Sequence, residues 1–158
     1  MRLRHRMGFG VQSPWAFELV SDVLYGKHRY YAFDELDGTR DDEQLYRICA
    51  WLNPSKVNAY GALPVTANYL NRFPARHGQS GYNFCYFAAS HARDALRIYQ
   101  DKAVASPACI VLEGILDPLP RGVWSTLQSS PGCTSTFDLG KRGILFFDPS
   151  RQKQNYIL

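Results

Sequence analysis

Neighbouring carboxylates are the first candidates for chemistry in this chain, because paired acids can act as general acid and base. They form two groups, Asp34-Glu35 and Asp41-Asp42-Glu43. The first group falls in a predicted loop, and the second falls at a predicted helix start, where acids stabilise the helix dipole. We therefore interpret both groups as solvated loop and capping residues. We find no Ser-His-Asp arrangement, no phosphate-binding P-loop and no HExxH zinc motif.

The cysteines are the candidates for a metal or redox site. Each of the four lies in or beside an apolar stretch, and no Cys-x-x-Cys pair occurs among Cys49, Cys85, Cys109 and Cys133. Such wide spacing does not suit a metal knuckle. We expect four buried free thiols, as in a protein of a reducing compartment, and no metal.

Basic residues are the candidates for contacts with an anion or a nucleic acid. The chain has a formal net charge of +4 at pH 7, and its early part carries Arg2, Arg4, Arg6, Lys27, Arg29 and Arg40. A nucleic-acid-binding domain usually has a stronger and more clustered positive charge. We expect residues 1–12 to be a solvated basic arm, and nucleic-acid binding stays an alternative.

The length and the hydrophobic content predict a single domain. With 158 residues, 46% of them hydrophobic, the chain is large enough to bury its own core. No apolar run has the length of a signal peptide or of a membrane span, so we expect a cytoplasmic protein without a membrane partner. We divide the domain into an N-terminal helical extension, residues 1–53, and an α/β core, residues 54–158.

Helix signals are clearest in the first third of the chain. Ser13 and Pro14 predict the start of a helix that runs to residue 25, since Ser is a good N-cap and Pro suits the first helical position. Thr39 and Asp42 predict the capped start of a second helix, which ends at residue 52. Residues 28–36 between the two helices predict a loop or a short strand.

Helices and strands alternate in the rest of the chain. We predict strands at residues 56–62, 82–87, 110–115, 134–139 and 143–148, and a last short strand at residues 155–158. The helices between them are predicted at residues 65–72, 91–100 and 121–129. This alternation predicts an α/β fold with a mostly parallel sheet of about five strands and flanking helices.

Five pieces of sequence occur in an order that is typical of one protein group. They are residues 8–14 (GFGVQSP), Trp124 in a helix, Asp138-Leu139, residues 143–147 (GILFF) and residues 152–156 (QKQNY). In this order the chain resembles the class I S-adenosylmethionine (SAM)-dependent methyltransferases, and more narrowly a bacterial group of methyltransferase-like proteins. The resemblance implies a reduced Rossmann-like fold, with one of the strands at 134–139 and 143–148 antiparallel.

The cofactor loop of such an enzyme follows its first strand, and glycines there leave room for the methionine part of SAM. The corresponding residues 57–64 read VNAYGALP. Asn58 replaces the acid of the family, and Tyr60 and Pro64 stand at glycine positions. Gly61 is the one residue of this loop that could contribute to a SAM site.

The family's next two strands have no place in this chain, although the second strand normally ends in the acid that holds the ribose. Nine residues, 73–81, separate the helix at 65–72 from the strand at 82–87. One crossover alone needs about 10–12 residues. We infer an internal deletion that removes the ribose contact.

The carboxylates that hold a divalent metal ion in relatives of the family are also replaced. The matching residues are Ala88, Ala89, Ser90 and His91 after one strand, and Glu113 with Gly114 after the next. One Glu and one His are too few for a cation that prefers oxygen ligands. We expect His91 to start a helix. Glu113 is a cofactor contact, together with Gly61, only if this chain still has a SAM site.

These departures predict a pseudoenzyme. It would be a degenerate methyltransferase-like protein without catalytic activity or cofactor, kept for binding or assembly. The first alternative is an active methyltransferase with a minimal SAM site built from Gly61, Glu113 and the Tyr30-Tyr31 segment. The second alternative is a nucleic-acid-binding module that uses the basic residues named above.

The inferred deletion has a consequence for assembly, because it leaves the strand at residues 56–62 at an edge of the sheet. A bare edge favours pairing with another chain unless something shields it. Lys56 and Asn58 give this strand the polarity of an edge. We expect either residues 30–36 to fold over the edge or two copies to form a homodimer there, and we favour the homodimer.

Overall fold

The computed structural model describes residues 13–73, 81–101 and 106–158. In these ranges the chain is an α/β protein with a six-stranded mixed sheet and flanking helices. The predicted basic arm, residues 1–12, lies outside the described residues, as do residues 74–80 of the connection before the strand predicted at 82–87. None of the described helices is long and apolar enough to cross a membrane.

The N-terminal part consists of helices whose starts follow the predicted caps. They are α1 (Pro14–Glu18), which continues as a π-helical segment (Leu19–Leu24), α2 (Tyr31–Leu36) and α3 (Arg40–Leu52). The Ser13 hydroxyl accepts a bond from a backbone N–H in the first turn of α1. Thr39 and Asp42 form a reciprocal capping box at the start of α3. Both predicted helix starts are confirmed.

Helix α2 corrects the prediction of a loop or short strand at residues 28–36. Phe33 of α2 is buried and packs edge-on against Tyr46 of α3, with ring centroids 5.5 Å apart. Tyr30 lies 5.0 Å from the same ring, whereas Tyr31 is 90% exposed. Contacts with a neighbouring helix decide the conformation of so short a segment, and local propensity does not include them.

The sheet contains all the predicted strands, including the last short one at the C-terminal end. The strands are β1 (Lys56–Tyr60), β2 (Asn83–Phe87), β3 (Ala108–Glu113), β4 (Ser135–Asp138), β5 (Arg142–Phe147) and β6 (Gln154–Ile157). Their order across the sheet is β1-β2-β3-β5-β4-β6. The strands β1, β2 and β3 are parallel, β5 is antiparallel to both neighbours, and β6 is parallel to β4. The predicted count of about five was too low, because the short C-terminal segment extends the sheet beside β4.

Helices cover both faces of the sheet. The remaining ones are α4 (Pro64–Leu70), α5 (Ala92–Gln100), which follows a 3₁₀ turn (Ala89–His91), and α6 (Pro118–Gln128). Leu19, Leu45 and Ile48 from the N-terminal helices share one hydrophobic core with sheet residues such as Phe84. Side chains of α5 and α6 share the other core with alternate sheet residues. The central strands are thus buried on both faces, as parallel strands usually are.

The cysteines lie in these cores. All four are free and buried, which confirms the prediction of buried thiols. Burial raises the pKa of Cys49 and Cys109 well above the ordinary thiol value, and it raises the pKa of Cys133 to about 12. A thiol is a weak nucleophile in its protonated form, so these groups are inert at neutral pH.

Candidate functional site

The carboxyl ends of the three parallel strands are the place where a sheet of this kind binds ligands. The register pairs Tyr60 with Phe87 and Phe87 with Leu112. The next residue after each of them, at the start of three neighbouring loops or beside one, is Gly61, Ala88 or Glu113. We call this end of β1, β2 and β3 the carboxyl edge of the sheet.

Gly61 is tightly enclosed at the carboxyl edge. Its φ of +73° is in the left-handed region that favours glycine. A Cβ added there would lie 2.3 Å from Nδ1 of His91 and 3.1 Å from the Cβ of Ala88. The imidazole ring of His91 therefore occupies the space beside Gly61.

His91 has the structural role that the sequence predicts. It ends the 3₁₀ turn and stands at the N-cap position of α5, so the prediction that it starts a helix is confirmed. Its Nδ1 lies 3.0 Å from the hydroxyl of Ser90. In this position the ring packs against the backbone of the loop after β1.

The residues at the family's glycine positions are part of regular structure. Tyr60 ends β1, and its ring stacks on Phe87 with centroids 4.7 Å apart and planes 5° from parallel. Pro64 is the first residue of helix α4. Neither position leaves the backbone open, which is the property that glycines supply in a cofactor loop.

Glu113 is bonded to a buried cation. Its Oε1 accepts bonds from Nε of Arg142, at 2.8 Å, and from Nη2 of the same guanidinium. Tyr86 lies close to this carboxylate, and burial followed by the charge of Glu113 raises the pKa of the Tyr86 hydroxyl. Gly61 contacts His91 and Glu113 contacts Arg142, and no recorded contact among the described residues joins the two candidate cofactor residues.

Arg142 connects the sheet to helix α3. It is 3% exposed, and its Nη1 donates to the backbone carbonyl of Asp41 at 2.9 Å and to Oε1 of Gln44 at 2.8 Å. The sequence did not point to Arg142, because its partners in α3 are about a hundred residues away. A buried Arg of this kind needs a carboxylate, so Glu113 holds a structural ion pair.

The acidic groups are used for capping and ion pairs, as predicted, but one of them is not solvated. Asp42 is 4% exposed and accepts a bond of 2.5 Å from the hydroxyl of Thr66, besides its place in the capping box. Asp34 and Glu35 are exposed and lie 2.9 Å and 2.7 Å from arginine side chains. Asp34 and Glu35 are therefore solvated as predicted, whereas the prediction of a solvated acid is wrong for Asp42.

A concave surface lies beside the N-terminal end of α3. It has a volume of about 680 Å³ and is bounded by residues 24–29, the first turns of α3 and residues 139–142. Its cations are Lys27, Arg29, Arg40, Arg47, Lys141 and Arg142. We call it the basic groove. Three of the cations of the nucleic-acid alternative meet here, whereas Arg2, Arg4 and Arg6 lie outside the described residues.

Neither a metal site nor a known relative identifies the function of the chain. Within residues 13–73, 81–101 and 106–158, no group of three His, Cys, Asp or Glu side chains could hold a metal ion. Comparisons with protein-family models, curated proteins and solved structures found no match. The methyltransferase family therefore remains a resemblance.

Proposed function

We propose that this protein is a degenerate methyltransferase-like protein that has lost catalysis and SAM binding and is kept for binding or assembly. The observation that carries the proposal is the position of His91. Its ring fills the space beside Gly61, the one glycine left in the loop where the resemblance implies a cofactor. A SAM molecule would have to displace this ring and then meet a loop without further glycines.

The sheet supports a reduced Rossmann-like fold of this group. The resemblance implies an antiparallel strand among the last two long strands, and β5 has this direction. It also implies that loss of the second and third strands leaves the first at an edge, where β1 lies. Both features follow from the same proposed ancestry.

The partner of Glu113 is a second argument against a surviving SAM site. A carboxylate that contacts a cofactor must be free to accept its bonds, but Glu113 is held by the guanidinium of Arg142. Releasing it would leave a buried positive charge without a partner, which costs about 3–5 kcal/mol in comparable cases. Ligand binding would have to supply this free energy.

The alternative of an active enzyme has less support. It requires Gly61, Glu113 and the Tyr30-Tyr31 segment to rebuild one pocket. Tyr30 packs on the ring of Tyr46, and Tyr31 is exposed on α2. Each of these groups thus has a different set of neighbours among the described residues.

For assembly, we propose that two copies pair through β1. Among the described strands, β1 is bonded to β2 alone, so its outer N–H and C=O groups can accept another strand. Residues 31–36 form a helix that packs on α3 and α4, as the contact of Phe33 with Tyr69 indicates. A strand-like cover over β1 from this segment is therefore the weaker of the two expectations.

Thermal unfolding in the presence of SAM tests the loss of the cofactor. A ligand present at a thousand times its dissociation constant raises the free energy of unfolding by about 4 kcal/mol. A micromolar site would thus raise Tm by about 10 °C in a millimolar SAM solution. We expect no rise above that seen with adenosine at the same concentration, whereas a saturable rise with SAM would refute the proposal.

A further inference from the structure

We infer that the basic groove binds a small molecule through a phosphate monoester group. The inference rests on the proposed function, because it supplies the ligand class for a protein kept for binding. It moves the binding site from the carboxyl edge of the sheet to the groove beside α3. The charges, the rigidity and the size of the groove carry it.

Most cations of the groove already have acidic partners. Arg29 lies 2.9 Å from Asp34, and Arg47 lies 3.7 Å from Glu43. The other two pairs are Lys141 with Asp41, at 2.6 Å, and Arg142 with Glu113. Four of the six cations are therefore balanced by four carboxylates.

Lys27 and Arg40 are the two cations that remain. Both are exposed, and neither has an acidic partner among the described residues. Two unbalanced positive charges match a phosphate monoester, which carries a charge of about −1.5 to −2 at pH 7. A carboxylate or a neutral ligand would leave part of this charge unbalanced.

The position of Arg40 is unfavourable for the helix itself. Arg40 is the first residue of α3, where the positive end of the helix dipole repels a cation, whereas the acids that follow it, Asp41, Asp42 and Glu43, favour the helix. Residues that break a local rule of this kind are found preferentially at functional sites. An anion bound beside Arg40 would turn the repulsion into attraction, since the dipole and the side chain would both stabilise it.

The floor of the groove is rigid. Arg142 is held by Glu113, by the carbonyl of Asp41 and by the amide oxygen of Gln44. These bonds fix the turn between β4 and β5 against the first turn of α3. A ligand would therefore meet a wall that is already in place, which lowers the entropic cost of binding.

The size of the groove favours a small ligand over a nucleic acid. Its volume of about 680 Å³ lies in the usual range of small-molecule sites. Proteins that bind single strands combine a long basic channel with several aromatic rings on which bases stack. Tyr25 is the one aromatic residue that lines the groove in the described part of the chain.

Titration with inorganic phosphate and with adenosine monophosphate (AMP), followed by amide chemical shifts, tests the inference. We expect both to give saturable shifts at residues 24–29, 40–47 and 139–142, while adenosine binds at least about tenfold more weakly than AMP. The variant Lys27→Gln/Arg40→Gln should weaken phosphate binding by about tenfold or more. The variant Arg93→Gln/Arg97→Gln loses the same charge from α5, on the opposite face, and should bind phosphate like the wild type.

The inference is overturned when phosphate gives no saturable shift in the groove, or when the Lys27→Gln/Arg40→Gln variant binds it unchanged. It is also overturned when a short single-stranded RNA binds far more tightly than AMP with a steep salt dependence, since the groove would then serve nucleic acid. Both variants change exposed side chains, and an unchanged Tm shows that they fold. A protein that binds neither phosphate nor SAM would refute this inference and leave the proposed function intact. A protein that binds SAM would refute the proposed function, whether or not it binds phosphate.

Discussion

At Gly61, backbone conformation and lack of space act together. The positive φ requires a residue that tolerates the left-handed region, and the His91 ring leaves no room for a side chain. A glycine in a cofactor loop has the same two properties, but there the free space receives the ligand. In this protein the chain itself occupies it.

The variant Gly61→Ala tests this packing. The left-handed backbone and the contact with His91 should together lower the free energy of unfolding by about 1–3 kcal/mol, measured by urea denaturation. In a His91→Ala background the closest contacts disappear and the one with the Cβ of Ala88 remains, so the same substitution should cost less. Gly122→Ala is the control, because a Cβ added at Gly122 in helix α6 would meet no atom within 4 Å outside the backbone of the helix itself. It should stabilise the protein by about 0.5–1 kcal/mol. An equal cost of Gly61→Ala in both backgrounds would show that His91 does not fill the space.

Asp148 is the residue whose titration should affect stability. Its carboxylate accepts bonds from the Tyr82 hydroxyl and from the N–H and hydroxyl of Ser150, the last two at 2.9 Å and 2.7 Å. Burial acts to raise the pKa of Asp148, but the hydrogen bonds and Arg151 outweigh it and hold the pKa below the ordinary value of 3.8.

The sign of the pH dependence follows from this lowered pKa. The carboxylate contributes stability above pH 3.8, its ordinary value, and the contribution is lost as the pH falls through the lower folded pKa. We expect Asp148→Asn to reduce the free energy of unfolding by about 1–3 kcal/mol at pH 7. The difference from the wild type should shrink in acid. A difference that stays constant down to the acid transition would contradict this role.

Residues that act locally could be predicted from the sequence, and residues that act over long distances could not. The caps at Ser13 and Thr39 depend on neighbours within three positions, and both were predicted. Arg142 depends on Glu113 and on the start of α3, which only the folded sheet brings near it. The basic groove was missed for the same reason, although Lys27, Arg29 and Arg40 were noted as cations.

At the scale of elements, the strands were predictable, whereas the short helix α2 was not. The strands β2, β3 and β5 are apolar runs that bury both faces, and this pattern is visible in the sequence. Helix α2 has six residues, and its packing against α3 and α4 determines its conformation. The position of β1 at the edge was predicted from the number of residues in the connection after it, and the strand order confirms it.

The exposed edge of β1 leads to a prediction about assembly. We expect the protein to sediment as a dimer at about 50 μM, a concentration that populates a micromolar complex. Ala59 is exposed on β1, and Ala59→Lys should shift the protein to monomer, because edge lysines oppose strand pairing. Ser125→Lys adds the same charge to an exposed position of α6 and should leave the dimer intact. A monomeric wild type in which the β1 amides resist hydrogen exchange would mean that the chain covers its own edge.

At the scale of the whole molecule, two properties that a cofactor enzyme combines in one site are separated. The carboxyl edge has the position of such a site, and the basic groove has the open, charged surface. The carboxyl edge has the position of a cofactor site, but its side chains are engaged with one another. The groove has unbalanced charge and open volume, but it lies beside the N-terminal helices. This division supports a protein that binds a ligand without the cofactor chemistry of its proposed relatives.

Isothermal titration calorimetry with SAM is the most direct test of the central claim, because it needs no knowledge of a methyl acceptor. The loss of the ribose contact and the filled space at Gly61 should weaken SAM to a dissociation constant of about 1 mM or more, so we predict no heat beyond that of dilution. S-adenosylhomocysteine should behave in the same way. A saturable isotherm with one site per chain and a dissociation constant below about 50 μM would contradict the account.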